Sequence, residues 1–303
     1  MNHFISIADL TKDQFDDLLT LALDLKKELG QTGKNEPLLG GKTLGMVFQK
    51  PSLRTRTSFD VGMYQLGGYA IYLSPNEIKL GQRESVADVA RVLGRYVNLI
   101  MARVFSHDHI LELATYSPVP VINGLSDYNH PCQGMGDYLT MLEAWGSFEG
   151  RTLAYVGDGN NVLTSLLNGA VHAGIRIHVA TPGGYEPKAA IVEKARARGA
   201  TISVFPDPVE AVTGVDAIYT DVWTSMGQEA ETKKRLAVFP PYQINQELLT
   251  YADKEAIVLH CLPAHRGEEI TNEVADGPQS RLWDQAENRL HAQKAIMVRV
   301  SGL

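Results

Sequence analysis

Apolar residues in this chain fall mostly into short runs, separated by stretches where they recur every three or four positions. "LTKDQFDDLLTLALDLKKELG" (10–30) pairs Thr11 with Gln14 as a capping box, carries leucines at helical spacing and meets Gly30 as a stop. "TLGMVFQ" (43–49) reads as a strand, and the polar loop after it enters a helix that Gly67 and Gly68 end. "YAIYL", "NLIMARVF" and "VPVIN" read as strands, with "ESVADVARVLGRYV" and "HILELATYS" as the helices between them. The second half repeats the rhythm. "TLAYVGD", "IRIHVATP", "TISVF", "DAIYTDVW" and "AIVLHCLP" are strands, "NNVLTSLLNGAVHAG" and "EPKAAIVEKARARG" are helices, and "RLWDQAENRLHAQKAIMVRV" is a long terminal helix. Alternation of this kind predicts an α/β protein with two doubly wound domains, each a parallel sheet flanked by helices. The join falls in the helix over about 131–146, which gives domains of 1–146 and 147–282 and leaves a final helix over 283–303. Ligands of such sheets bind beyond the carboxyl ends of the strands. The polar clusters "PSLRTRTSF", "GDGNN", "DVWTSMG" and "HCLPAHRGEE" all lie there.

Composition narrows the function. The 303 residues suit two domains, and 44% hydrophobic content supplies their cores. A formal net charge of -7 argues against nucleic acid as the main partner, so a local basic cluster is more informative than the total. Two cysteines, Cys132 and Cys261, do not make a disulfide framework and read as reduced thiols. The opening "MNHFISIADLTKDQF" lacks the basic and apolar regions of a signal peptide, and no apolar run approaches the ~18 residues of a membrane span. A cytoplasmic protein without a membrane partner is expected.

"VFQKPSLRTRTSF" (47–59) turns a strand into a helix, whose first amides and partial positive charge suit an anion. Ser52, Arg54 and Thr55 add hydroxyl and guanidinium donors, which together match a phosphate. Arg54 and Arg56 sit about 200° apart around a helix. Arg54 is therefore assigned to the anion and Arg56 to a structural ion pair. An ordinary capped helix start is the alternative. "NHPCQGMGD" (129–137) begins another helix, where His130 can donate to a carbonyl and Gln133 can bond either polarity of partner. Arg103 closes an apolar strand and is either solvated or aimed at a site. No Cys/His/carboxylate cluster shows metal-ligand spacing, and no metal or cofactor is expected.

"SLRTR", "MARVF", "HPCQ", "GDGNN", "DVWTSMGQE", "HCLPAHRGEEI" and "AENRLHAQKA" together resemble the ornithine carbamoyltransferase family across residues 52–294. The resemblance implies a first domain for carbamoyl phosphate, a second for L-ornithine, a final helix packed back on the first domain, and a homotrimer or a multiple of trimers. It assigns Ser52, Leu53, Arg54 and Thr55 to the phosphate loop. Arg103, His130 and Gln133 go to the carbamoyl group and Arg289 to the same ligand, with Cys261 and Leu262 lining the reacting centre. Asn161, Asp221, Ser225 and Met226 form the ornithine pocket, and Cys261, Arg103 and His130 are the catalytic set.

Three departures matter. Leu53 stands where the family usually has threonine, which leaves only a backbone amide. Lys79 replaces a glutamine that many relatives contribute across an interface, so it is either a cation for a neighbouring site or a solvated lysine. Gly134 and Gly136 stand where alanines are common. Leu53 also admits a transferase acting on N-acylated ornithine, against which the intact "DVWTSMG" stands, since Asp221 suits a free α-ammonium. A non-catalytic metabolite sensor on this fold is opposed by the complete Arg54, Arg103, His130, Cys261 and Arg289 set. A dinucleotide reading of "YVGDGNNVL" fails because Val162 occupies the third glycine position.

Overall fold

The computed structural model describes residues 1–225 and 229–303. The chain divides into two compact units, Met1–Leu139 with Glu287–Leu303, and Thr140–Ala286. The elements run α1 (Lys12–Thr32), β1 (Thr43–Phe48), α2 (Leu53–Gln65), β2 (Tyr69–Leu73), α3 (Pro75–Ile78), α4 (Val86–Leu93), β3 (Leu99–Arg103), α5 (His107–Tyr116), β4 (Val121–Leu125) and α6 (Pro131–Trp145). They continue with β5 (Thr152–Val156), α7 (Asn161–Ala173), β6 (Arg176–Ala180), α8 (Ala189–Ala197), β7 (Thr201–Phe205), α9 (Pro208–Val212), β8 (Ala217–Thr220), α10 (Thr232–Val238), α11 (Gln246–Leu249), β9 (Ile257–His260), α12 (Asn272–Ala275) and α13 (Leu282–Val300).

Each unit holds one parallel sheet. The first has the order β2-β1-β3-β4 and the second β7-β6-β5-β8-β9. In both, the chain winds one way from a central strand and then the other. The order reverses between β1 and β3 and again between β5 and β8. A doubly wound sheet opens its crevice at such a point, because the connecting loops leave in opposite directions. The ends of β1 and β3 carry Ser52–Thr55 and Arg103, and those of β5 and β8 carry Asp158–Asn161 and Asp221. The α/β class read from the alternation holds.

Local chemistry explains the boundaries. Thr11 and Gln14 close both arms of the capping box on α1, and Phe15, Leu18, Leu19, Ala22 and Leu25 form its buried stripe. Gly30 does not stop this helix. It continues to Thr32 and ends at Gly33, whose φ of 73° makes it the left-handed cap. A glycine inside a helix costs only about 1 kcal/mol, and the stripe outweighs that. In the first unit Val47, Ile100, Ala102, Ile110, Leu113 and Val121 pack one core, and in the second Val156, Ile218, Val258 and Ile270 pack another.

Candidate active site

In the first unit the site forms at the start of α2. Ser52 is the N-cap, and its Oγ accepts from the Thr55 amide at 3.3 Å. This contact fixes the first turn, a role worth about 1 kcal/mol. Thr55 is fully buried, and three groups converge on its Oγ1: Ser52 Oγ at 3.0 Å, Arg103 Nη1 at 3.3 Å and Arg289 Nη2 at 2.6 Å. A hydroxyl oxygen has two acceptor lone pairs. The two guanidinium groups can fill both, with the Thr55 hydroxyl proton turned to Ser52 Oγ, so one buried oxygen holds two cations side by side. Arg54 lies half-buried in the same turn, while Leu53 is 77% exposed and gives its side chain to solvent. Arg56 differs from expectation: its guanidinium lies 4.0 Å from the ring centre of Tyr72, so among the described residues its partner is an aromatic face, not a carboxylate. Tyr72 belongs to β2, the strand that follows α2 and packs beside it.

His130 immediately precedes α6 and Gln133 lies in its first turn, and both are buried. Burial, with Arg289, Arg103 and Lys50 nearby, holds the His130 imidazole well below its usual range, so it is neutral at physiological pH. Gln133 Nε2 donates to the buried Asp137 carboxylate at 2.8 Å, which fixes the side-chain amide and leaves Oε1 as its acceptor. Two residues without an expected role support this corner. Asn129, fully buried, donates to Ile5 O at 3.2 Å and accepts from Asn123 Nδ2 at 2.6 Å, pinning the turn before His130. Gly136 packs closely: a Cβ there would lie 3.1 Å from the Arg289 Cα, so a larger residue would require that backbone to give by a few tenths of an ångström. Cys132 is inert, its thiol pushed up to about 12 by burial.

The second unit gathers a different set. Asp221, just past β8, is held by three donors. Asn160 Nδ2 lies 2.6 Å from Oδ2, while the Val222 amide at 2.8 Å and Cys261 Sγ at 3.0 Å donate to Oδ1. Asn160 is also the N-cap of α7, its Oδ1 accepting from the Val162 and Leu163 amides. Asn161 takes the first helical position beside it. Sequence reasoning misses Asn160, although capping asparagines have a side chain turned back across the helix start, and that is the signal that could find it. Asp158 is buried against Arg235 Nη1 at 3.1 Å, yet burial raises its carboxyl to about 6. Arg235 Nη1 also donates to the Trp223 carbonyl at 2.7 Å and so secures the start of the segment bearing Ser225. Met226 lies outside the described residues.

The "HCLP" loop is positioned by two fully buried residues with no expected role, His260 and Glu269. His260 Nε2 contacts Glu269 Oε1 at 2.9 Å, and Nδ1 accepts the Leu262 amide at 2.8 Å, which sets the tautomer. Leu262 has a φ of 57°, and its bond to Pro263 is cis. A left-handed leucine persists only where its surroundings hold it, and the His260 contact does so. Contrary to the spacing argument, the fold brings donor atoms of Asp221, His260 and Cys261 within 4.8 Å of one another, as it does for His265, Glu268 and Glu269. Both His260 nitrogens are engaged, so the first cluster could take an ion only by giving up the Leu262 or the Glu269 contact.

Comparison with known proteins gives consistent matches. Residues 2–143 match the aspartate/ornithine carbamoyltransferase carbamoyl-P binding domain, and residues 149–300 match the Asp/Orn binding domain. The chain is 53% identical over 297 residues to an ornithine carbamoyltransferase of Methanocorpusculum labreanum, covering 98% of this chain and 97% of that protein. It is 51% identical over 302 residues to one of Thermococcus kodakarensis, covering 98% and 96%. Among solved structures, ornithine carbamoyltransferase from Pyrococcus furiosus superposes with a TM-score of 0.95 at 48% identity, over 99% of this chain and 97% of that one. The anabolic enzyme of Campylobacter jejuni gives 0.93 at 38% identity, over 100% and 99%. Both domain matches and these full-length likenesses agree, and the chain belongs to the aspartate/ornithine carbamoyltransferase family.

Proposed function

We propose that this enzyme transfers the carbamoyl group of carbamoyl phosphate to the δ-amine of L-ornithine, giving L-citrulline and phosphate. The observation that carries the reading is the convergence of Ser52, Arg103 and Arg289 on Thr55 Oγ1, which sets two guanidinium groups beside the start of α2, where an oxyanion would meet them. Ser52, Arg54 and the amides of Leu53 and Thr55 would hold the phosphate. Thr55, Arg103, His130 and Arg289 would stabilise the charge that builds on the carbonyl oxygen when the amine attacks, and electrostatic stabilisation of this kind usually supplies most of the rate enhancement. Gln133 Oε1 would accept from the carbamoyl amide, since its nitrogen is committed to Asp137. In the second unit Asp221 would take the α-ammonium, with Asn161, Ser225 and Met226 completing the pocket, and Cys261 and Leu262 would line the reacting centre. Citrulline formation from the two substrates tests the assignment. Turnover of N-acetylornithine in place of ornithine would overturn it, and Asp221 speaks against that substrate because an acylated nitrogen carries no charge.

Leu53→Thr is expected to leave kcat/KM within about threefold, because the native contribution at this position is a backbone amide that the substitution preserves. A change beyond about tenfold in a steady-state assay would show that the side chain matters.

The nucleophile must lose a proton. An ordinary amine of pKa ~10.4 is neutral in only about one molecule in 2,500 at pH 7. Cys261 Sγ donates to Asp221, so the sulfur carries its own proton in this arrangement, and the proposal has ornithine bind as the free amine. The kcat/KM for ornithine, measured at saturating carbamoyl phosphate, should therefore rise from pH 7 to 9 as the neutral fraction grows. The lowered pKa of His130 keeps it neutral across this range, so it adds no inflection there. A flat profile would contradict this account.

The same proposal places the enzyme in the cytoplasm, in arginine biosynthesis, as a homotrimer. Val61 and Tyr64 on α2, with Tyr69 and Ile71 on the edge strand β2, are exposed apolar residues that suit a subunit contact. No helix among the described residues is long and apolar enough to cross a membrane.

A further inference from the structure

Gln49 lies one residue past β1 and three before Ser52. Its backbone amide donates to the Arg103 carbonyl at 2.9 Å. Its side-chain Oε1 accepts from the Phe105 amide at 2.9 Å and lies 3.3 Å from His109 Nδ1, while Nε2 donates to the Leu80 carbonyl at 3.0 Å. One side chain thus joins the exit of β1, the exit of β3 and the loop that follows α3. That loop is closed on itself by bonds from Gln82 and Arg83 to the Lys79 carbonyl and from Gly81 to the Glu84 carbonyl. It docks through the buried Leu80 side chain. Lys79 has a φ of 41°, a left-handed conformation that a non-glycine residue keeps only when its surroundings hold it.

We propose that Gln49 is a positioning residue for the carbamoyl phosphate subsite, its amide fixing the Lys79–Glu84 loop to the end of β3 that presents Arg103. The inference rests on the carbamoyl transfer reading given above. The chemistry requires an amide: one end must accept from an N–H and the other must donate to a carbonyl. A carboxylate would set a negative oxygen against the Leu80 carbonyl, and an alkyl chain would lose both contacts.

The test uses the full-length enzyme with Gln49→Glu and Gln49→Leu. Amide hydrogen exchange reads the peptide spanning 79–84, and calorimetry reads carbamoyl phosphate affinity without ornithine. Both variants should exchange about three- to tenfold faster in that peptide alone and bind carbamoyl phosphate about three- to tenfold more weakly, the range of one or two lost hydrogen bonds. The KM for ornithine should stay within about twofold. Wild-type exchange in both variants would overturn the inference. So would a loosened loop with unchanged affinity, or faster exchange spread across the whole unit. If the wild-type protein binds carbamoyl phosphate but forms no citrulline, the reaction assignment fails while the Gln49 measurement still stands.

Discussion

Arg103→Ala is expected to lower kcat/KM for carbamoyl phosphate by about 10²–10³-fold, the usual cost of removing one preorganised donor from a developing oxyanion. The side chain is 5% exposed and ends a central strand, so its guanidinium is delivered by backbone that cannot easily move. Thr55 Oγ1 keeps Ser52 and Arg289 after the substitution, and its bond from the Arg103 guanidinium, of a kind worth about 1.5–3 kcal/mol, is lost. A melting temperature within about 10 °C of wild type should therefore accompany the kinetic loss. Carbamoyl phosphate should stabilise the wild-type protein against heat and the variant much less, since a ligand stabilises in proportion to its binding of the folded state. Arg103→Lys should recover only part of the loss, because an ammonium cannot reproduce the planar fork. Equal stabilisation of wild type and Arg103→Ala by the ligand would remove Arg103 from the subsite.

Much of this architecture is legible in the order of residues. The alternation of short apolar runs with helical stretches is a local signal, and it locates the strands of the described residues to within a few positions. Strand order is not legible, because the reversals at β1/β3 and β5/β8 depend on which strands pair across the chain. The same distinction separates the site residues. Ser52 and Thr55 declare themselves through the spacing of a cap. The meeting of Arg289 with Thr55 joins positions 234 apart, and only family resemblance points to it.

Where sequence and structure part, the reasons are equally physical. Arg56 reads as one half of an ion pair, but its partner is an aromatic ring on a neighbouring strand, which no spacing rule shows. Of two adjacent asparagines, the cap geometry turns Asn160 onto Asp221, a contact that the resemblance, which names Asn161 for the ornithine pocket, does not include. Gly136 reads as a mere loosening of a helix, yet it sits against the Arg289 backbone. His260 and Glu269 are nine residues apart and meet only because the "HCLP" loop folds back.

Asp221→Asn should raise the KM for ornithine by about 10–150-fold, the equivalent of one charge-assisted bond of about 1.5–3 kcal/mol, and leave carbamoyl phosphate affinity within about twofold. The carboxylate is 6% exposed and already receives Asn160, Val222 and Cys261, so it is oriented before the amino acid arrives. An asparagine keeps one oxygen for the Val222 and Cys261 side and sets its own amide nitrogen against Asn160 Nδ2. Relieving that clash by turning Asn160 would give up the cap of α7, because its Oδ1 holds the Val162 and Leu163 amides. The variant should consequently also lose about 1–2 kcal/mol of stability, the value of such a cap. Asn160→Asp would move two carboxylates together and damage the same pocket from the other side, so its ornithine KM should rise as well. The pattern separates the substrates. An enzyme for acylated ornithine has no ammonium at this carboxylate, and its KM would barely respond to neutralising Asp221. A rise for ornithine with no change for carbamoyl phosphate assigns the charge at Asp221 to the amino-acid substrate, and an unchanged ornithine KM would remove Asp221 from its recognition.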